Sequence, residues 1–267
     1  MHRSEQISDD QKRVWLIGGT QESVQLAIAL TRQSLPYVVS VTTPAATQLY
    51  PAEAQVCVGQ LGPGEMSIFI QQQGIGCILD ASHPFAQNVS TQAIATGLPY
   101  LRFEREALTS QPTITSESKT LVTVVNSLNE LINSELLLHQ TVLFTIGYRY
   151  LSKFAALRQT SKLFARILPS SEAIAGTLAA GFSSKEIIAI RPPISHALEA
   201  ALWRQWQITT VVAKASGTAG GEAVKRQVSA QLGIPLILIA RPQIQYPCQT
   251  NSVPEAVKFC LKTRSMP

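Results

Sequence analysis

The sequence lacks any run of about 18 apolar residues, the length that a membrane-spanning helix requires. Its four cysteines, Cys57, Cys77, Cys248 and Cys260, form no C-x-x-C pair, and we interpret them as buried or inert thiols in a reducing compartment. The polar segment 1–12 has no apolar core of the kind that signal peptides contain. We therefore predict a cytoplasmic protein with no membrane partner and no metal site.

The sequence also lacks runs of Lys and Arg, although its formal net charge is +5. Evenly spread positive charge argues against a dedicated nucleic-acid surface and is compatible with a small acidic ligand. We therefore predict no nucleic-acid partner. The oligomeric state stays open, with a monomer slightly favoured.

The chain has 267 residues, 45% of them hydrophobic and 15% charged, which is typical of a globular protein with one large or two modest domains. Short apolar runs alternate with amphipathic stretches, a pattern that predicts parallel, doubly wound sheets. The polar stretch 104–119 interrupts this alternation. We predict an α/β fold of two Rossmann-like three-layer domains, residues 1–112 and 113–267, with a cleft between them.

The pattern predicts ten strands and nine helices. The predicted strands are Val14–Ile17, Tyr37–Val41, Gln55–Val58, Cys77–Asp80, Tyr100–Phe103, Thr141–Ile146, Leu163–Leu168, Ile187–Ile190, Thr209–Ala213 and Leu236–Ile239. The predicted helices are Gln21–Arg32, Glu65–Gln73, Phe85–Thr96, Ser127–Leu137, Tyr150–Leu157, Ser171–Ala179, Ser195–Trp206, Ala219–Leu232 and Val253–Lys262.

The first predicted strand runs into Gly18-Gly19-Thr20, and a helix with one apolar face follows. Glycines let a backbone approach a phosphate closely, and the free N–H groups and dipole of a helix N-terminus favour its charge. The full G-x-G-x-x-G fingerprint is absent because no third glycine follows. An ordinary strand–helix turn with Thr20 as the N-cap stays an equal alternative.

A second polar segment, Asp80-Ala81-Ser82-His83-Pro84-Phe85, follows the fourth predicted strand. Loops at the carboxyl ends of parallel strands line the ligand crevice, so we expect this segment to lie beside the glycine turn. Ser82 and Pro84 are predicted to open the next helix as cap and first-turn residue. The alternative is that Asp80 and Ser82 only cap that helix and His83 has no role.

These two segments, Gly-Gly-Thr-x-Glu at 18–22 and Asp-Ala-Ser-His-Pro-Phe-Ala at 80–86, resemble the precorrin-6A reductase family of corrin biosynthesis. Further matches follow in the family's order, and the resemblance covers nearly the whole chain. They are Leu-Arg-Phe-Glu-Arg at 101–105, Thr-Ile-Gly at 145–147, Ala-Arg-Ile-Leu-Pro at 165–169, Lys-Ala-Ser-Gly at 214–217 and Ala-Arg-Pro at 240–242. The segments 41–43 and 58–61 look more like the cobalt-dependent branch.

The resemblance implies that a nicotinamide hydride reduces one ring double bond of (cobalt-)precorrin-6A, which gives (cobalt-)precorrin-6B. The cofactor residues that it implies are Gly18, Gly19, Thr20, Glu22, Ser40, Thr42, Thr43, Asp80, Ala81, Ser82, His83, Pro84 and Phe85. The segment 40–43 contains no acidic residue to bind a ribose 2′-hydroxyl and no basic residue to bind a 2′-phosphate. The choice between NADPH and NADH therefore stays open.

The substrate is a tetrapyrrole that carries several carboxylates, which Arg and Lys bind well. The residues predicted to bind it are Arg149, Arg166, Lys214, Ser216, Gly217, Gly220, Gly221, Lys225 and Arg241. His83 and Lys214 are the predicted catalytic residues. The alternatives are that most of these cations are solvated surface charges, and that the loop 214–221 binds a second cofactor phosphate.

Two segments depart from the family's pattern. Ala215 follows the loop lysine where the family usually has an acidic or amide residue, so the proton donor stays open. The segment 191–195 also differs from the family's usual glycine, proline, phenylalanine and serine. These departures keep a rival hypothesis in play, a protein that binds a dinucleotide to sense redox state without catalysis.

Two enzyme classes are disfavoured by missing motifs. A short-chain dehydrogenase needs a Tyr with a Lys four residues later, and Tyr150 with Lys153 is one residue short. A P-loop enzyme needs G-x-x-x-x-G-K-[ST], which the sequence does not contain.

Overall fold

The computed structural model describes residues 12–104, 121–217 and 220–264. They form two compact units. The first contains the residues up to 104 together with those from Gln243 onward, and the second contains the residues from 121 to Pro242. Each unit is a parallel sheet flanked by helices, so the predicted α/β class is confirmed.

Strands are numbered in chain order. They are β1 Arg13–Ile17, β2 Tyr37–Val41, β3 Gln55–Val58, β4 Ile75–Asp80, β5 Tyr100–Phe103, β6 Val122–Val125, β7 Thr141–Phe144, β8 Lys162–Ile167, β9 Ile187–Ala189, β10 Thr210–Lys214, β11 Leu236–Ile239 and β12 Gln249–Thr250.

The α-helices are α1 Gln21–Arg32, α2 Pro63–Gln73, α3 Gln87–Ala95, α4 Leu128–Ile132, α5 Ser171–Ala179, α6 His196–Gln205, α7 Glu222–Leu232 and α8 Val253–Arg264. The described residues also contain 3₁₀ helices at Pro44–Leu49, Tyr148–Gln159 and Ser184–Glu186.

The first sheet has the strand order β12-β5-β4-β1-β2-β3, with all pairs parallel. Successive side chains of β1 serve opposite faces, as strand geometry requires. Val14 and Leu16 pack into the core formed with α1 and α8, whereas Trp15 and Ile17 pack into the core formed with α2 and α3. A strand buried on both faces explains why β1 appears in the sequence as an unbroken apolar run.

The second sheet has the order β6-β11-β10-β7-β8-β9, again with parallel pairs. One face carries α6 and α7, which contribute Ala200, Trp203 and Val228 to a core with Leu143 and Val211. The 3₁₀ helix Tyr148–Gln159 contacts β8 and α5.

Both sheets reverse their strand order at one point. In the first sheet β1 lies between β2 and β4, and in the second β7 lies between β8 and β10. Connections leave such strands in opposite directions, which opens a crevice at their carboxyl ends where ligands bind in open α/β sheets. The glycine turn follows β1 and Asp80 ends β4, while Thr145 follows β7 and Lys214 ends β10. The glycine turn and the Asp80 loop therefore lie at the switch point of the first sheet, and Lys214 lies at that of the second.

The predicted domain ranges differ from the structure at the carboxyl end. Residues from Gln243 onward belong to the first unit, although the sequence placed all of 113–267 in the second. The reason is that β12 pairs with β5, and Ala256 and Cys260 of α8 are fully buried in the first core. The predicted boundary at 112/113 lies outside the described residues.

Candidate active site

The glycine turn after β1 is held in one conformation. The N–H of Gly18 donates to the Ser40 carbonyl oxygen at 2.9 Å, and a Cβ on Gly18 would lie 2.2 Å from the Tyr50 hydroxyl oxygen. Gly19 has φ +97°, a conformation that side-chain-bearing residues rarely adopt. Thr20 caps α1 by accepting the Ser23 N–H at 3.1 Å. The sequence therefore needs both glycines and the threonine at these positions.

The loop after β4 bonds directly to this turn, as the sequence predicted. Ala81 donates its N–H to the Ile17 carbonyl at 3.0 Å and accepts the Thr20 hydroxyl at 2.8 Å. The register explains the contact, because Asp80 pairs with Ile17 at the ends of β4 and β1.

Asp80 is fully buried, and its carboxylate accepts four hydrogen bonds. They come from the Ser82 N–H at 2.9 Å, the Ser90 hydroxyl at 2.6 Å, the Tyr100 hydroxyl at 2.5 Å and Arg102 Nη1 at 3.0 Å. A buried carboxylate is tolerated only when it is paired and hydrogen-bonded in this way. Asp80 thus organises the loop from inside, and its predicted contact with the cofactor stays a prediction.

Arg102 completes this buried network. It is 1% exposed and donates from Nη1 to the Ser82 hydroxyl at 3.1 Å and from Nη2 to the Ser82 carbonyl at 3.0 Å. Its Nε donates to Glu104 at 2.9 Å, and its guanidinium lies 5.4 Å from the centre of the Tyr246 ring. Asp80 of β4 therefore holds the N–H of Ser82, and Arg102 of β5 holds its carbonyl and hydroxyl groups.

The prediction that Ser82 and Pro84 open the next helix is wrong. Helix α3 begins at Gln87 with Ala86 as its N-cap, because the Asp80–Arg102 network binds Ser82 and keeps the loop out of helical geometry. The loop presents His83 at the surface. His83 Nδ1 accepts the Phe85 N–H at 3.2 Å, so the neutral imidazole carries its proton on Nε2.

Three further predicted cofactor residues lie at the end of β2. Ser40 is buried, and its hydroxyl accepts the Trp15 indole N–H at 2.8 Å. Thr42 is exposed and Thr43 half-buried, ahead of the 3₁₀ helix Pro44–Leu49. Thr42 and Thr43 stay the predicted ribose contacts, whereas Ser40 has a clear structural role.

In the second unit, Lys214 ends β10 at the switch point. Its Nζ lies 4.6 Å from the centre of the Tyr150 ring, a cation–π distance. Burial, together with the neighbouring charge of Arg149, lowers the pKa of Lys214 to about 8. An ammonium group with a pKa near neutrality can both attract an anion and release a proton.

The loop that follows Lys214 is tightly braced. Gly217, with φ +72°, donates its N–H to Glu222 Oε2 at 2.9 Å. A Cβ on Gly220 would lie 1.8 Å from the Ser216 hydroxyl oxygen, so only glycine allows that approach. Arg241 Nε donates to the Ala215 carbonyl at 2.9 Å. The predicted helix start at Ala219 lies outside the described residues, and α7 is described from Glu222.

Lys225 and Arg166 lie behind this loop. Lys225 is 5% exposed, and its Nζ lies 3.2 Å from the Gly221 carbonyl oxygen. Arg166 forms an ion pair with the buried Glu199. Arg149, by contrast, has a 61% exposed side chain. The structure therefore brings all the predicted substrate residues to the carboxyl ends of β7, β8, β10 and β11, and their contact with substrate stays a prediction.

A family model described as Precorrin-6x reductase CbiJ/CobK matches residues 13–261. The chain belongs to this family. Its members are oxidoreductases of cobalamin biosynthesis that act on a CH–CH group, and this chain is therefore an enzyme that requires a reductant.

Two curated relatives match this chain over most of their length. A cobalt-precorrin-6A reductase from Synechocystis sp. is 44% identical over 259 residues, which are 94% of this chain and 97% of the relative. One from Priestia megaterium is 31% identical over 261 residues, 94% of this chain and 100% of the relative. A solved structure titled CobK precorrin-6A reductase matches with a TM-score of 0.75 and 25% identity, over 95% of this chain and 98% of that one.

Sequence reasoning missed several residues that shape the two candidate sites. They are Tyr50, Tyr100, Arg102 and Tyr246 in the first unit, and Tyr150, Glu199 and Glu222 in the second. Only Arg102 had a usable signal, since a charged residue within the apolar run of β5 indicates a buried ion pair. Among the described residues no cluster of three His, Cys, Asp or Glu side chains could hold a metal ion, and no helix is long and apolar enough to cross a membrane.

The buried Lys225 should make stability depend on pH. Its ordinary pKa is 10.5, and burial and the Arg166 charge lower it to about 8 in the folded protein, against the opposing effect of Glu199 and Glu222. Between these values the unfolded chain binds more protons, so the free energy of unfolding rises with pH by at most about 1.4 kcal/mol per pH unit.

We expect Lys225→Met to lose this rise, as measured by urea unfolding from pH 7 to 10. Lys185→Met is the matched control, because Lys185 is exposed and should leave the slope unchanged. Equal slopes for wild type and Lys225→Met would contradict the prediction.

Proposed function

We propose that this enzyme reduces one ring double bond of cobalt-precorrin-6A to give cobalt-precorrin-6B, with NADPH or NADH as the reductant. The observation that supports it is the glycine turn at the switch point of the first sheet, bonded to the His83 loop, in a chain of the precorrin-6x reductase family. A cytoplasmic location and a monomeric state stay predictions from the sequence.

The residues of the first switch point suit a dinucleotide. Gly18 and Gly19 keep side chains away from the turn, and the N–H of Gln21 has no intrahelical acceptor because it lies in the first turn of α1. That helix end favours a diphosphate. When bound there, a reduced nicotinamide supplies the hydride. His83 is exposed on the loop beside the turn, where a bound cofactor or substrate can contact its imidazole.

The second switch point suits a polycarboxylated macrocycle. Its basic side chains, Arg149, Arg166, Lys214, Lys225 and Arg241, outnumber the acidic Glu172, Glu199 and Glu222. Glu172 is paired with Arg149, Glu199 is paired with Arg166, and Glu222 accepts the Gly217 N–H of the loop. Arg149 and Lys214 have the geometry of substrate contacts, since one is exposed and the other ends a strand at the crevice. Lys225 braces the loop from behind through the Gly221 carbonyl, and Arg166 is held by Glu199.

Reduction of a carbon–carbon double bond adds a hydride to one carbon and a proton to the other. Ala215 has no ionisable side chain, so it supplies no proton. Lys214 can do so, because its lowered pKa leaves the ammonium form populated yet acidic near neutral pH. We therefore assign the proton to Lys214 Nζ, which becomes neutral and is reprotonated by solvent.

An anaerobic assay of nicotinamide oxidation tests this function. NADPH and NADH are each combined with cobalt-bound and metal-free precorrin-6A. Turnover with at least one pair, strongest with the cobalt-bound substrate, is the expected result. Tight dinucleotide binding without turnover of either substrate would favour the redox-sensing alternative instead.

A further inference from the structure

Tyr50 connects two parts of the cofactor site that are far apart in sequence. It follows the 3₁₀ helix Pro44–Leu49, is 8% exposed and packs its ring into the core of the first unit. Its hydroxyl accepts the Gly19 N–H at 2.7 Å and lies 2.6 Å from the Ser23 hydroxyl. One phenol therefore touches both the glycine turn and the first turn of α1.

The direction of each hydrogen bond follows from counting protons. Ser23 donates its single hydroxyl proton to the Thr20 carbonyl at 2.6 Å and accepts the Thr20 N–H at 3.1 Å. Tyr50 must then donate to Ser23 while it accepts from Gly19. Burial raises the pKa of Tyr50, which keeps the phenol protonated for this role.

In this arrangement the three backbone N–H groups of the turn already donate to acceptors within the protein. Gly18 donates to Ser40, Gly19 to Tyr50 and Thr20 to Ser23. An incoming phosphate therefore meets the amide end of α1, not the Gly19 N–H, unless Tyr50 moves. The position of that helix end relative to the turn depends on the Tyr50 hydroxyl.

Tyr50 also anchors the loop that carries the predicted ribose contacts. The 3₁₀ helix Pro44–Leu49 contains no buried residue, so Tyr50 is the buried residue that ends this segment. Thr42 and Thr43 lie at its other end. The hydroxyl of Tyr50 thus fixes the distance between two segments. They are the glycine turn 18–20, which we call the phosphate turn, and the segment 42–49, which we call the ribose loop.

We propose that Tyr50 is a positioning residue for the dinucleotide, which sets the phosphate turn and the ribose loop in register through its hydroxyl group. The inference rests on the proposed function, since it takes the nicotinamide dinucleotide to bind at this turn. It assigns no chemical step to Tyr50.

Tyr50→Phe tests the proposal, because it keeps the ring in the core and removes only the hydroxyl. Losing one buried hydrogen bond of about 1.4 kcal/mol corresponds to a tenfold change, so the Kd for NADPH or NADH by calorimetry should rise about tenfold. The KM for the tetrapyrrole should stay unchanged. Ser23→Ala, which removes the acceptor of the Tyr50 proton, should shift the Kd in the same direction.

Tyr37→Phe is the matched control. Tyr37 is also buried, and its hydroxyl bonds Thr31 at 2.9 Å at the opposite end of β2. It should lower the melting temperature about as much as Tyr50→Phe without changing the Kd. An unchanged Kd in Tyr50→Phe, or an equal rise in Tyr37→Phe, would overturn the inference. Failure of the wild-type protein to bind either dinucleotide would instead refute the proposed function.

Discussion

Replacing Arg102 by Met is expected to lower the free energy of unfolding of the first unit by about 3–5 kcal/mol, the usual cost of breaking a buried ion pair from one side. The variant leaves the fully buried Asp80 carboxylate without its cation and Ser82 without two of its hydrogen bonds. Urea unfolding measures the loss of stability, and a separate measurement of amide hydrogen exchange shows whether the loss affects β4 and β5.

Two controls separate this effect from a general loss of charge. Arg149→Met removes a partner from the Arg149–Glu172 pair, whose side chains are 61% and 62% exposed, and should cost at most about 1 kcal/mol. Asp80→Asn combined with Arg102→Met removes both charges and should recover part of the stability. Equal losses in Arg102→Met and Arg149→Met would contradict a network that depends on burial.

Replacing Lys214 by Ala is expected to lower kcat/KM for the tetrapyrrole roughly ten- to a hundredfold, because a charge-assisted contact of about 1.5–3 kcal/mol is lost. The Kd for the dinucleotide should not change, since Lys214 lies at the switch point of the second sheet. Lys185→Ala, an exposed lysine of the same unit, is the control and should retain full activity. Loss of dinucleotide binding in Lys214→Ala would show that this loop binds cofactor phosphate instead.

The pH profile distinguishes a proton donor from a simple anion contact. With a pKa of about 8, Lys214 loses its proton as the pH rises through that value, so wild-type kcat/KM should fall above pH 8. Lys214→Arg keeps the charge at every accessible pH but gives up a proton poorly, so it should retain the KM and lose kcat. A normal kcat in Lys214→Arg would limit Lys214 to binding.

Periodicity predicted most of the fold because the inner strands of both sheets are buried on two faces and are short apolar runs. The ranges Tyr37–Val41, Gln55–Val58 and Leu236–Ile239 coincide with β2, β3 and β11. The two missed strands have no such pattern. β6 is four residues long and only its last residue, Val125, is buried, and the two residues of β12 join the sheet through backbone pairing with β5.

The residues of the candidate sites likewise divide into those that the sequence predicts and those that it does not. The glycine turn, the His83 loop and the Lys214 loop are contiguous segments, so their residue types and the positions of strand ends were sufficient to place them. Tyr50, Tyr246 and Glu199 come from distant segments and act through side-chain hydrogen bonds or ring contacts. Nothing local in the sequence records such contacts, because only the folded sheet brings their partners together.

The return of the chain to the first unit has a consequence for how the protein is made. Residues 121 to Pro242 form the second unit as one continuous segment, so it can fold once that segment has left the ribosome. The first unit waits for the segment from Gln243 onward, which is synthesised about 150 residues after β5. This segment supplies Tyr246 and, through α8, Ala256 and Cys260. Until then Arg102 and the outer edge of β5 stay uncovered. The unit translated first is therefore completed last.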